Sequence, residues 1–122
     1  MEYVRFEAPE PNSCGFRTGV FGPANGLAHS KGLSVEDWAW WRVNNDWFND
    51  AYIDPGSIDA TLFDHAAATC WFKESALHLL ERIPGYLDLL TRYGVAWVER
   101  RSQNPGQILY DDEAQIVVVP SP

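Results

Sequence analysis

Two cationic side chains stand where an anion or a small substrate can be bound. Arg17 lies just before the glycine-rich stretch Gly19–Gly26, and Lys73 follows Trp71 where a predicted strand passes into a helix. Glycine loops at helix starts offer backbone N–H groups to anions, although this stretch matches neither the dinucleotide fingerprint nor the P-loop. With Tyr110, these residues predict a pocket between the glycine stretch and a sheet. The alternative is that the glycines only let the chain turn beneath an aromatic core.

A tryptophan-rich segment carries the second candidate site. At 100° per residue, Trp40 and Trp47 share one helix face with Asn44 between them. Nearly opposite is a second apolar face, formed by Trp38, Trp41, Asn45, Phe48 and Tyr52. A helix that is apolar on two sides is either buried between layers or presents one face to a partner. The exposed reading predicts a stacking surface for a planar ligand or for another protein, including a second copy of this chain. The buried reading packs Trp40 and Trp47 beneath the connector at residues 55–69.

The sequence gives little support for a metal site or for nucleophilic catalysis. The histidines show no paired spacing, and no zinc, EF-hand or Gly-x-Ser-x-Gly pattern occurs. The run Asp111–Glu113 is predicted to be a solvated turn, because three consecutive side chains cannot all face one cation. Cys14 and Cys70 are expected to be reduced thiols, with Cys70 filling the core. We therefore expect no metal and no cofactor, and the sequence leaves open whether the chain is an enzyme.

The net charge of the chain indicates which classes of partner to expect. The 122 residues, expected to form a single domain over 1–122, contain 17 acidic and 9 basic residues, for a formal net charge of −8. Nucleic acid is not an expected partner, because phosphate backbones are bound by clustered Lys and Arg. An acidic inhibitor or immunity-type protein, drawn to a basic partner, is a third reading. We expect no membrane span and, because residues 1–10 lack signal-peptide features, a cytoplasmic location.

Two helices are expected to position these residues. The first runs over about 35–51, with Ser34 as its cap and two carboxylates in its first turn. The second runs over about 74–93 with one apolar stripe, is kinked at Pro84, and ends at a left-handed Gly94.

The C-terminal third is expected to be an antiparallel β-meander over about 95–119. Turn signals at Asn104–Gly106 and Asp111–Ala114 separate three short strands, and short connections usually join antiparallel neighbours. Short N-terminal and central strands, Tyr3–Phe6 and Thr69–Phe72, are expected to join this sheet. The prediction is an α+β domain whose main helices pack on the sheet. Its first functional reading is a small acidic binding domain that presents an aromatic helix face.

Overall fold

Five antiparallel strands form one sheet. The computed structural model describes residues 1–13, 15–65 and 67–120, so the expected state of Cys14 lies outside the described residues. The strand order across the sheet is β3-β1-β2-β5-β4. The strands are β1 (Tyr3–Glu7), β2 (Thr69–Lys73), β3 (Val98–Ser102), β4 (Gln107–Asp111) and β5 (Gln115–Val119). The predicted α+β class is confirmed.

The predicted C-terminal meander is wrong at its first strand. Strands β4 and β5 do form the expected hairpin, but β3 pairs with β1 at the other edge, with Tyr3 opposite Ser102 and Glu7 opposite Val98. The turn signal at Asn104–Gly106 acts only on neighbouring residues, so it does not determine which strand β3 pairs with. Strand pairing is decided by the free edge of a partner that is distant in sequence, and β1 offers one.

The position of β3 shows that the sheet is curled. Residues 103–106 connect strands at opposite edges of the sheet, and this connection can span at most about 18 Å. The edges of a flat five-stranded sheet would be about 19 Å apart before any offset along the strands. Ser102 and Gln107 also lie at opposite ends of the strands, as the register requires. The two edges must therefore curve towards each other.

Five helices lie between the strands in the described part of the chain. They are α1 (Phe21–His29), α2 (Val35–Ala51), α3 (Pro55–Ile58), α4 (Leu77–Leu80) and α5 (Ile83–Arg92), with a 3-10 turn at Leu62–Asp64. The predicted bounds of α2 are confirmed, and the Ser34 hydroxyl accepts a hydrogen bond from the Asp37 N–H as a helix cap does. No helix within the described ranges has the length and apolar character needed to cross a membrane.

The second predicted helix is divided into two. Residues 74–76 are not helical, α4 is four residues long, and α5 begins at Ile83. Pro84 therefore lies in the first turn of α5 rather than at a kink inside one helix. Proline is tolerated there because a first-turn N–H has no helical acceptor to lose. Gly94 has a φ of 75°, the left-handed conformation predicted for it.

Each face of the curled sheet has its own apolar cluster. The larger one joins the helices to the sheet and includes Trp41, Phe72 and Tyr86. On the opposite face, Trp71 packs with Ile116 and Val118, although no helix belongs to that cluster. The curl explains why both aliphatic side chains are buried there, since the sheet folds around them.

Candidate functional site

Contacts with α5 and with Arg82, the residue before it, cover the two tryptophans of the predicted aromatic surface. Trp40 lies on the backbone of Gly85, where an added Cβ would be 2.4 Å from its Cζ2 atom. The Arg82 guanidinium stacks over the Trp47 ring at 3.8 Å from its centroid. Asn44 accepts from Arg82 and donates to the Trp40 carbonyl. The cover is therefore Arg82 with α5 and not the connector at 55–69, and both indoles remain partly exposed.

The cations predicted from sequence have separate partners. The Arg17 side chain is exposed, and its Nε donates to the Pro9 carbonyl at 3.2 Å. Lys73 forms an ion pair with Asp111. Neither side chain lines the cavities described below. Arg17 and Lys73 are thus not brought together around one cavity.

The other two residues of the predicted pocket, Tyr110 and Trp71, have different surroundings. The Tyr110 hydroxyl donates to Asp112 at 2.8 Å, within the turn that joins β4 and β5. Trp71 packs with Ile116 on the sheet face away from the helices, and it also lines a cavity. Trp71 is the one residue of the predicted pocket that lines this cavity.

This cavity arises where two strands separate. β1 pairs with β2 only at Tyr3 and Val4. Beyond that point β1 pairs with the glycine stretch, where Val20 N–H donates to Phe6 O at 3.1 Å and Glu7 bridges to Gly19. The gap left between β1 and β2 lies between the glycine stretch and the sheet.

The gap holds what we call the arginine lobe, a cavity of about 160 Å³. The Arg5 guanidinium spans it, donating to the Cys70 carbonyl at 2.9 Å and to the Arg17 carbonyl at 3.1 Å. Its walls are formed by nine residues: Arg5, Phe6, Gly19, Val20, Phe21, Tyr52, Cys70, Trp71 and Phe72.

A second cavity, the asparagine lobe, has a volume of about 210 Å³ and lies between α1, α2 and β2. It shares Phe21, Tyr52 and Phe72 with the arginine lobe, and we call the two lobes together the aromatic cleft. The other walls of the asparagine lobe are three asparagines and a phenylalanine: Asn25, Asn45, Asn49 and Phe48. Asn25 Oδ1 accepts from Trp41 Nε1 at 3.1 Å. Within the described residues, the side-chain amides of Asn45 and Asn49 have no hydrogen-bond partner, although Asn45 is half-buried.

The remaining polar groups of the cleft are unsuited to nucleophilic catalysis. Burial raises the pKa of the Cys70 thiol, although the nearby Arg5 charge acts in the opposite direction. Burial also raises the pKa of the Tyr52 hydroxyl far above its usual range, and that hydroxyl donates to the Gln115 side chain. A protonated thiol and a protonated phenol are poor nucleophiles. Neither Cys70 nor Tyr52 is therefore suited to act as a nucleophile.

Sequence reasoning missed the arginine that lines the cleft. It sought a cation beside the glycine stretch and selected Arg17, whereas the guanidinium in the gap belongs to Arg5. One signal was available: in a strand spanning residues 3–7, Arg5 and Glu7 lie on the same face as a charge pair. Tyr52 carried no such signal, because its position depends on how the chain leaves α2.

Metal binding has no geometric support in the part of the chain that the structure describes, where no three His, Cys, Asp or Glu side chains group closely enough to hold an ion.

Comparison of the chain with protein-family models, curated proteins and solved structures finds no match. The case for function therefore rests on the cleft itself.

Proposed function

We propose that this protein is a small-ligand-binding domain whose site is the aromatic cleft, and that the ligand is planar. The supporting observation is that two cavities share an aromatic wall of Phe21, Tyr52 and Phe72, with a guanidinium in one lobe and amides in the other. Ligand sites are typically concave and mostly apolar, with a few polar groups that fix orientation. The aromatic cleft has this composition.

The amides of the asparagine lobe support the choice of a polar planar ligand. A half-buried amide without a protein partner is available to hydrogen-bond a ligand that enters the lobe. Asn45 is such a group, and Asn25 has its oxygen engaged while its NH₂ group has no partner within the described residues. A ring with both donors and acceptors on its edge satisfies both amides while its faces contact Phe21 and Phe72. A plain hydrocarbon satisfies neither.

The size of the ligand follows from the volumes. An apolar cavity of about 150 Å³ accommodates one benzene molecule. The lobes of about 160 Å³ and 210 Å³ therefore each take about one ring. We infer a ligand of one or two rings rather than a large cofactor.

The test is a titration with small planar probes that carry polar edges, namely benzamide, indole and adenine. The readout is amide chemical-shift change in a ¹⁵N-labelled sample, which places binding residue by residue. We expect saturable shifts at Phe21, Tyr52 and Phe72 with at least one probe. Shifts confined to other regions, or no saturable shift with any probe, would contradict the proposal.

A blocking variant makes the test independent of stability. Asn49 lines the asparagine lobe, is exposed and lies in α2, so Asn49→Trp can cover the lobe without disturbing the core. Val43→Trp is the matched control, since Val43 lies in the same helix, is 66% exposed and lines neither lobe. We expect Asn49→Trp to weaken probe binding at least tenfold and Val43→Trp to leave it unchanged.

Other readings of the sequence stay predictions. A protein partner, a homo-oligomer, an acidic inhibitor role and a cytoplasmic location are tested by none of the contacts described above. The half-exposed indoles of Trp40 and Trp47 give a partner less surface than a free aromatic helix face would, because Gly85 of α5 contacts the first and Arg82 the second. We therefore place the proposed site in the cleft rather than on that face.

A further inference from the structure

We propose that the arginine lobe is a carboxylate subsite, so that the ligand of the aromatic cleft is an aromatic carboxylate whose anionic group bonds to Arg5. This inference rests on the proposed function, because it names the chemical class of ligand for the same cleft. It is carried by the local charge, by the unused donors of Arg5 and by the space beside Gly19.

Among the described residues, the one charged side chain that lines the lobe is a guanidinium, in a strongly acidic protein. The Glu7 carboxylate is shared by two guanidiniums, with Arg5 Nε at 3.3 Å and Arg100 Nε at 3.2 Å. Arg100 is 48% exposed and does not line the lobe, so Glu7 is divided between a solvated cation and the buried Arg5. The side chains of Arg5 and Glu7 are only 12% and 8% exposed, so solvent screens the charge of Arg5 poorly. Because Glu7 neutralises Arg5 only in part, a monoanion suits the site.

Arg5 also has hydrogen-bond donors to spare. A guanidinium has five N–H groups, and those of Arg5 make three hydrogen bonds, to Glu7 and to the carbonyls of Cys70 and Arg17. Two N–H groups are left without a partner among the described residues. A carboxylate matches such a pair of donors in geometry and charge. A neutral carbonyl can accept the hydrogen bonds but does not balance the charge.

Gly19 keeps the guanidinium accessible. A Cβ at this position would lie 3.5 Å from Nη2 and 3.6 Å from Nη1 of Arg5, in ordinary van der Waals contact. A branched side chain there would cover the guanidinium from the side of the lobe. The backbone of Gly19 does not lie in the left-handed region, so a larger residue can be introduced without backbone strain.

The chemistry favours a carboxylate over a phosphate. A phosphate monoester carries nearly two negative charges at neutral pH, more than one guanidinium already paired with Glu7 balances. The walls of the lobe, which include Phe6, Val20 and Phe72, are mostly apolar and suit the ring of an aromatic acid. With room for about one ring per lobe, benzoate is the smallest complete probe.

The experiment compares benzoate with benzamide, its neutral isostere, by the same chemical-shift titration. We expect benzoate to bind at least tenfold more tightly than benzamide, with the largest shifts at Val20 and Phe72. In Gly19→Val and in Arg5→Gln this ratio should fall to about one. In Arg17→Gln it should be unchanged, because Arg17 contributes only its backbone carbonyl to the lobe.

The outcomes separate this inference from the proposed function. If benzamide binds the cleft as tightly as benzoate, the carboxylate subsite is wrong while the planar-ligand site stands. If Gly19→Val retains the wild-type ratio, Arg5 is not the anion's partner, whatever Arg5→Gln does to folding. Inorganic phosphate is the third probe, and competition with benzoate at equal concentration would overturn the choice of a carboxylate. Absence of binding by every planar probe would overturn the proposed function itself.

Discussion

Two aromatic regions of the same molecule differ in how completely they are packed. At the indole interface, formed by Trp40 and Trp47 of α2 against Arg82 and α5, an indole touches glycine backbone and a guanidinium covers the second ring. At the aromatic cleft, Phe21, Tyr52 and Phe72 border two cavities instead. Only the first region is conspicuous in sequence, because Phe21, Tyr52 and Phe72 come from three separate segments. Aromatic content therefore identifies a core or a site only once its neighbours are known.

The largest effect is expected at the indole interface. Trp40→Ala removes a side chain packed on Gly85 and should cost about 3 kcal/mol, the lower end for loss of a large buried aromatic residue. Trp38→Ala is the matched control on the same helix, because Trp38 is 45% exposed. It should cost less than about 1 kcal/mol. Urea unfolding of both variants measures the difference, and equal costs would mean that the interface is not packed as described.

Two helical glycines should respond in opposite directions to the same substitution. Gly85→Ala forces a Cβ to within 2.4 Å of Trp40, so overpacking should outweigh the helix-propensity gain and give a net loss of about 1–2 kcal/mol. Gly26→Ala in α1 meets nothing within 4 Å and should stabilise the protein by up to about 1 kcal/mol. Thermal unfolding of the pair provides the measurement. A stabilised Gly85→Ala protein would contradict the close approach of Trp40.

Adjacent asparagines in α2 sharpen the comparison further. Asn44→Leu leaves Arg82 without its acceptor and should destabilise the protein by about 1 kcal/mol. Asn45→Leu removes an amide that has no partner within the described residues and should be neutral or stabilising by up to about 0.5 kcal/mol. Asn45→Leu should nevertheless weaken the binding of benzamide. Urea midpoints and the titration together test this, and a large loss of stability in Asn45→Leu would assign Asn45 a structural role.

The smallest effect is expected at the surface end of the indole interface, where α2 and α5 are joined through Asp37. Hydrogen bonds from Arg92, first, and then from Tyr93 lower the pKa of Asp37 to about 2. A pKa below the ordinary value of about 4 means that the ionised carboxylate stabilises the fold. This contribution is complete above about pH 4 and is lost as the pH falls towards 2.

Asp37→Asn should therefore lower the melting temperature at pH 5 but not at pH 2. The effect should be small because the ion pair with Arg92 is exposed to solvent. Melting temperatures of both proteins at several pH values provide the measurement. A difference that persists undiminished at pH 2 would mean that Asp37 acts through packing rather than charge.

Local signals in the sequence were sufficient for α2 and for the left-handed Gly94. Ser34 is followed by acidic residues and an apolar period, and these features act within a few residues of each other. The place of β3 was not predictable in this way, since Tyr3 and Ser102 pair across most of the chain. Such pairings depend on which edges remain free after the other strands have assembled.

The candidate site was likewise predictable from the sequence only in part. The location of a pocket between the glycine stretch and the sheet follows from the sequence order, and Trp71 lines that pocket. Arg5 was missed because its role arises where β1 and β2 separate, and no residue pattern marks that separation. The covering of Trp40 and Trp47 by Arg82 and α5 was missed for a related reason. Their helix face was correctly derived, but the face alone does not say which element packs on it.

The strand order of the sheet also affects how readily the protein aggregates. The run Ile116–Val119 is apolar, β-branched and uncharged, the kind of segment that stacks into fibrils when exposed. It lies inside the sheet between β2 and β4, while the edge strand β3 presents Glu99, Arg100 and Arg101 outwards. Charged edges discourage pairing between molecules. Detachment of β4 is therefore the event that would expose this run and start self-association.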